Sequence, residues 1–230
     1  MRPPNPDLDH RHPALAPLLG AGFAPGRLEQ VLAFYDEPHR AYHDRQHLLE
    51  MFDASITLGE RLSATQVLAL LFHDVIYVPG AARGLNEMMS AQLLRVYTAG
   101  LDRAMVDTAC ALVIDTAEHV ARCVEAELVL DLDLMRLAAP PLDFDRYSRQ
   151  VFAEQRSLIA IADDAEALAF FSARRIPFFQ QLLDRPWIYC TPAGRKHFEA
   201  TARANLLRAV GHVAPAHNAG INAGTGQGSG

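Results

Sequence analysis

Lysine is nearly missing from this chain: Lys196 is the only one among 21 basic residues, and no basic run occurs anywhere. With a net charge of -6, the lack of a basic run argues against a nucleic-acid binder held by backbone electrostatics; the shortage of lysine itself carries no weight, since arginine takes its place. Cysteine is scarce too. Cys110, Cys123 and Cys190 are odd in number and share no metal-type spacing, which argues against a disulfide framework or a cysteine zinc site and for reduced core thiols of a cytosolic protein. No apolar run approaches the roughly 20 residues that span a bilayer, so no membrane association is expected. The N-terminal MRPPNPDLDHRHPAL lacks the apolar segment of a signal peptide, and a cytoplasmic location is expected. Alternating strand patterns, hairpin turn signals and internal repeats are absent as well.

What remains is helical periodicity. Half of the 230 residues are hydrophobic, enough for one domain with a well-buried core. Apolar residues recur at helical spacing over 25–35, 43–60, 63 to about 79, 86–98, 101–119, 124–137, 143–160, 163–183 and 192–210. Ser63 and Thr191 are candidate N-caps, and the 163–183 helix is expected to be interrupted near Pro177. Residues 1–13 read as a flexible arm, 14–212 as the helical domain, and 213–230, rich in glycine, as a disordered tail. The predicted fold class is all-α, a single-domain multi-helix bundle.

Three polar elements interrupt the apolar pattern. His73-Asp74 sits inside Leu68-Ala69-Leu70-Leu71-Phe72-His73-Asp74-Val75-Ile76-Tyr77. Buried ionisable groups are paired or metal-bound, because burying them alone costs several kcal/mol. His43 and His47, spaced i and i+4, can share one helix face and reach a common point, or form a solvated pair at a helix start. Asp131 and Asp133 lie in an apolar run and face nearly opposite ways on a helix. One should be a ligand and the other a cap or supporting acceptor. Two histidines with two carboxylates suit a hard or borderline divalent cation with open positions for water, a centre fit for metal-assisted hydrolysis.

The order His47, His73-Asp74, Asp133 resembles the signature of the HD-domain superfamily of metal-dependent phosphohydrolases. The likeness is greatest to a bacterial branch of predicted HD phosphohydrolases with no known substrate. It rests on Tyr42-His43-Asp44-Arg45-Gln46-His47, Phe72-His73-Asp74-Val75-Ile76-Tyr77, Asn86-Glu87-Met88-Met89-Ser90-Ala91, Thr116-Ala117-Glu118-His119 and Asp131-Leu132-Asp133-Leu134. Ala202-Arg203-Ala204-Asn205-Leu206 matches the closing segment, so the likeness runs over about residues 35–210. The chain departs from the branch at Asp44, where asparagine is usual, and at Val78 and Leu85, where acidic residues are common.

The resemblance implies His47, His73, Asp74 and Asp133 as metal ligands, with Asp133 preferred to Asp131. It implies a catalytic group of His43, protonating the leaving group, Asp74, orienting the nucleophile, and Glu87, orienting water. Glu87 and His119 could serve a second metal or the substrate phosphate, and Arg40 and Arg45 could grip phosphate. Asp115, one turn before His119, is a candidate to hydrogen-bond it. The cofactor would be a divalent ion: Mn, Mg, Fe, Ni, Co or Zn. The implied activity is hydrolysis of a phosphomonoester or phosphoanhydride, a nucleotide among the options, by metal-activated water. The partner would be a small phosphorylated molecule, and the helical surface is compatible with a homodimer. The alternative from another class is a non-catalytic, metal-stabilised ligand-sensing or interaction module, with a di-iron oxygenase as a minor one.

Overall fold

A computed structural model of the chain describes residues 8–213. The described residues form ten α-helices and no strand: α1 (Ala16–Gly20), α2 (Pro25–Leu32), α3 (Arg45–Thr57), α4 (Ala64–Phe72), α5 (Leu85–Tyr97), α6 (Arg103–Thr116), α7 (Val124–Asp133), α8 (Pro141–Gln155), α9 (Asp164–Leu183) and α10 (Pro192–Val213). Short 3-10 turns at 33–36, 134–138 and 156–158 extend α2, α7 and α8. None of these helices is long and apolar enough to cross a membrane.

The central element is α4. Ser63 and Gln66 close a capping box at its start, each side chain answering the other's backbone N–H. Every residue from Val67 to Phe72 is buried, so the helix is apolar all round and is packed on all sides. The apolar pattern predicts a helix continuing to Pro79, but it ends at Phe72, with His73 at its C-cap. The reason lies in the terminal carbonyls, which a helix leaves without internal partners. Leu70 O accepts from His73 Nδ1 at 2.7 Å, Leu71 O from the Tyr35 hydroxyl at 2.9 Å, and Phe72 O from Val75 N at 3.2 Å.

The hydrophobic interior is in two parts. One joins α1 to α7 around α4. The other holds Leu134 and Leu137 of the 3-10 turn with Phe144, Phe179, Ile188, Tyr189, Ala202 and Leu206 from α8 to α10. Asp133, the last residue of α7, lies where the chain passes from one to the other. Asn205 fastens α10 to that turn, its amide donating to Leu137 O at 2.9 Å and Ala139 O at 2.8 Å.

Several expectations are corrected. The arm is packed from Leu8 onward: Leu8 is buried, and His12 hydrogen-bonds Ala14 N and Asp53 Oδ1 at 3.3 and 3.1 Å. Residues 1–7 and 214–230, the rest of the expected arm and nearly all the expected tail, lie outside the described residues. The helix α9 runs through Pro177 without a break. Cys123 is exposed at the start of α7, so it is not a core thiol, whereas Cys110 is buried.

Candidate metal centre

His47 reaches the centre from the first turns of α3, whose N-cap is Asp44; the Asp44 carboxylate accepts from Gln46 N and His47 N at 3.0 and 3.2 Å. His43 therefore precedes the helix and does not share its face with His47, contrary to the i, i+4 expectation. His73 and Asp74 follow α4 directly, and Asp133 closes α7.

Ligand atoms of His47, His73 and Asp133 all lie within 4.8 Å of one another, a cluster that could hold a metal ion. Asp133 Oδ1 is 3.5 Å from His47 Nε2 and 3.6 Å from His73 Nε2. Ligands at about 2.1 Å from a shared ion would stand roughly 3.0–3.4 Å apart, close to these separations. Asp74 Oδ2 lies 2.9 Å from His73 Nε2, near but not aligned as a hydrogen bond.

The histidine chemistry fits a cation. His73 donates Nδ1–H to Leu70 O, which turns its Nε2 towards the Asp74 and Asp133 carboxylates. Between that nitrogen and the oxygens there must stand either a proton or a metal cation. Both ring nitrogens of His47 are buried and lack a hydrogen-bond partner. Burial pulls the His47 pKa down to about 4, so the ring is neutral at physiological pH and free to ligate. At His73 burial acts the same way, but the Asp74 charge outweighs it and lifts the pKa to about 9, so a proton fills the Nε2 position that a metal cation would take over. Burial raises and the surrounding imidazoles lower Asp133, which ends well below the usual carboxylate range.

Around this cluster stand two more histidines. His119 Nε2 is 3.2 Å from Asp133 Oδ2. His119 lies beyond the end of α6 with φ +50, a left-handed residue without glycine's freedom, and Arg185 Nη1 holds its carbonyl at 2.7 Å. Asp115 does not reach His119. It takes Arg122 N and the Arg122 guanidinium, at 3.2 and 2.5 Å.

His43 Nε2 approaches Asp74 Oδ2 at 4.0 Å, while Nδ1 donates to Glu154 Oε2 at 2.7 Å. The other oxygen of Glu154 accepts the backbone N–H groups of Ala41, Tyr42 and His43 at 2.8, 2.7 and 2.9 Å. Burial would raise the Glu154 pKa, but the His43 charge and these hydrogen bonds bring it down to about 2. Burial lowers and the Asp74 and Glu154 carboxylates raise His43, which ends above the ordinary histidine value. Glu154 carried no local signal, since it sits in the polar end of an amphipathic helix.

The remaining candidates divide. Glu87, half-buried in the first turn of α5, feels the centre: burial and the charges of Asp74 and Asp133 raise its pKa. Asn86 and Ser90, from the same motif, brace the segment after Asp74. The Asn86 amide bonds Val78 N and Val78 O at 3.1 and 3.3 Å, and the Ser90 hydroxyl accepts from Ile76 N at 3.0 Å.

Arg40 is not a phosphate grip. It is buried, with its guanidinium on Glu37 Oε2 and on the carbonyls of His43, Asp74 and Val75 at 2.7–3.0 Å. Arg45 is likewise engaged, paired with Asp36 at 2.5 Å. Asp131 is the cap of the alternative pair. Its carboxylate accepts from Cys190 N, Thr191 N and the Thr191 hydroxyl at 2.6, 2.9 and 2.6 Å, at the entrance to α10. Any side chain at Gly194 would overlap that carboxylate, so glycine permits the close approach. Arg136, unnoticed in the sequence, ties the turn after Asp133 to α3 through Glu50 Oε2 and to the His43 segment through Tyr42 O, at 2.8 and 2.9 Å.

Comparison with known proteins yields no matching family model, no matching curated protein and no matching solved structure.

Proposed function

We propose that this chain is a metal-dependent phosphohydrolase of the HD type, acting on a phosphomonoester or phosphoanhydride of a small molecule. The observation that carries the reading is the His73 ring, whose Nδ1–H is committed to Leu70 O while Nε2 faces two carboxylates. His47, His73 and Asp133 would hold a divalent ion, with Asp74 beside them. When bound there, such an ion lowers the pKa of water and offsets charge on a phosphoryl oxygen.

The protein's own groups supply the rest. Glu154 fixes the His43 ring through Nδ1–H, and its charge with that of Asp74 favours the imidazolium, whose Nε2–H points to the Asp74 side and is available to a leaving-group oxygen. Asp74, within reach of both His43 and His73, accepts a hydrogen bond from an incoming water and orients it. His119 steadies the second oxygen of Asp133. The segment from Val78 to Gly84, braced by Asn86, forms a rim where a small substrate can be gripped.

Elemental analysis after reconstitution with each divalent ion, joined to a phosphatase screen over phosphomonoesters and nucleotides, tests the reading. Stoichiometric metal and a turnover lost in a folded His73→Ala variant support it. Protein that takes up metal but is inert across the screen favours the ligand-sensing module. Protein that takes up none removes the centre itself.

A further inference from the structure

A cavity of about 470 Å³ lies between the C-terminal end of α8 and the middle of α9. None of its lining residues is a candidate ligand of the metal centre. Leu158, Ile159, Phe170 and Phe171 give it apolar walls, and its polar groups are Gln155, Arg174 and Arg175. No carboxylate lines it. Gly80, at φ +77, closes one side against Leu158: a Cβ at that position would stand 2.6 Å from Leu158 Cδ1.

Arg175 is the unusual group. It stands between this cavity and a neighbouring one of about 310 Å³. Its Cζ lies 5.6 Å from the Phe171 ring centre and 4.7 Å from that of Phe179, and Nη1 donates to Ser148 Oγ at 3.2 Å. Among the described residues no carboxylate pairs with it, whereas the buried arginines Arg40 and Arg136 each have one. Desolvation accordingly pulls its pKa below the ordinary arginine value. Arg174, over the Phe170 ring at 5.7 Å, adds a second positive charge to the same wall and has no carboxylate partner among the described residues either.

Arg175 is half-buried and Arg174 exposed, and the donors of the Arg175 guanidinium are mostly unspent. A cavity of this volume with apolar walls and convergent cations has the make-up of a small-ligand site.

We infer that the α8–α9 cavity is a binding site for a small organic anion, its phosphate or carboxylate group received by Arg175 and Arg174 and its planar apolar body lodged against Phe170, Phe171, Leu158 and Ile159. The cavity borders the Val78–Gly84 rim through Gly80 but contains no candidate metal ligand, so the inference stands whether or not the centre hydrolyses phosphate esters.

Phenyl phosphate, benzoate and neutral benzyl alcohol, titrated by calorimetry into the full-length chain as purified, test the inference. The same titrations are made into the Arg175→Met and His73→Ala variants. The expected result is saturable binding of at least one anion and none of the alcohol. Arg175→Met should weaken that binding by roughly tenfold to a hundredfold, the worth of charge-assisted hydrogen bonds, and His73→Ala should leave it unchanged. Which of the two anions binds more tightly separates a phosphate from a carboxylate ligand. Arg175→Met should also raise the melting temperature of the unliganded protein, because it removes an unpaired charge from an apolar wall. Should that variant fail to fold, Leu158→Trp fills the cavity from its exposed side and should abolish binding. No saturable binding to the unaltered chain, or binding lost in His73→Ala but kept in Arg175→Met, overturns the inference. A lowered melting temperature with unchanged affinity in Arg175→Met overturns it too, making Arg175 a structural residue.

Discussion

Glu154 holds His43 by both ends, accepting the ring Nδ1–H with one oxygen and the residue's own backbone N–H with the other. The neighbouring N–H groups of Ala41 and Tyr42 converge on that second oxygen. One carboxylate from α8 thus sets both the path of the 41–43 segment and the orientation of the ring beside Asp74.

If His43 is the proton donor, Glu154→Gln should lower kcat by roughly 10- to 100-fold with metal content unchanged, the usual cost of losing a supporting carboxylate. The basic limb of the pH–rate profile should move to lower pH, because the amide no longer favours the imidazolium. A kcat loss with an unmoved pH profile would assign Glu154 a purely structural role.

The same carboxylate should make stability acid-sensitive. Its pKa is held at about 2 in the folded chain against 4.5 when free, so its contribution is present in full above about pH 4.5. It is lost as pH falls towards 2, where the folded form must also protonate, and amounts to at most about 3 kcal/mol. Urea unfolding at pH 6, 4 and 3 should show the unaltered chain losing stability over that interval and Glu154→Gln losing less.

Asp131 and Asp133 should separate in a metal assay. Asp133→Asn should bind metal far more weakly, whereas Asp131→Asn should bind normally and unfold more easily, since its carboxylate serves the start of α10. Elemental analysis paired with thermal unfolding reads both. Chelation should lower the melting temperature of the unaltered chain, through loss of a ligand bound only by the folded state.

Gly194 should tolerate no methyl group while Asp131 is present. Gly194→Ala should cost about 1–3 kcal/mol by forcing the carboxylate aside. In an Asp131→Ala background the same change should cost markedly less, and a double-mutant cycle of denaturation measures the difference.

Arg40→Met should destabilise the fold by roughly 3–5 kcal/mol, because it strands the carbonyls of His43, Asp74 and Val75 in a buried setting. Denaturant unfolding of the purified variant checks this. Little or no change would show that water replaces the guanidinium.

The parts of the centre legible in the sequence were those where polarity contradicts its surroundings. His73-Asp74 and the Asp131/Asp133 pair stand in apolar runs, and charge in such a place calls for a partner whatever the fold. Which aspartate faces the histidines was open, because the partners that claim Asp131, at 190 and 191, come from a segment far away in sequence. Glu154 is hidden for the opposite reason, because Gln155, Arg156 and Ser157 beside it make a charge unremarkable; Arg136, set in Leu134-Met135-Arg136-Leu137-Ala138, carries the same signal as His73-Asp74 and went unread. For Arg40 the resemblance implies a phosphate grip, and only the assembled carbonyls of His43, Asp74 and Val75 show where its guanidinium is spent. Helix existence followed from periodicity, but the end of α4 did not, because Tyr35 and His73 itself satisfy its last carbonyls.

The three clustered residues that could hold an ion come from α3, the end of α4 and the end of α7, and Asp133 is the residue at which the chain crosses from one hydrophobic cluster to the next. No stretch of chain ending before Asp133 contains them all. During synthesis or refolding, the centre therefore closes only after α7 has docked on α3 and α4, a non-local event that pays loop-closure entropy before any ion can reward it. Metal capture would then be a late step in folding, a seal on a finished scaffold in place of a nucleus for it.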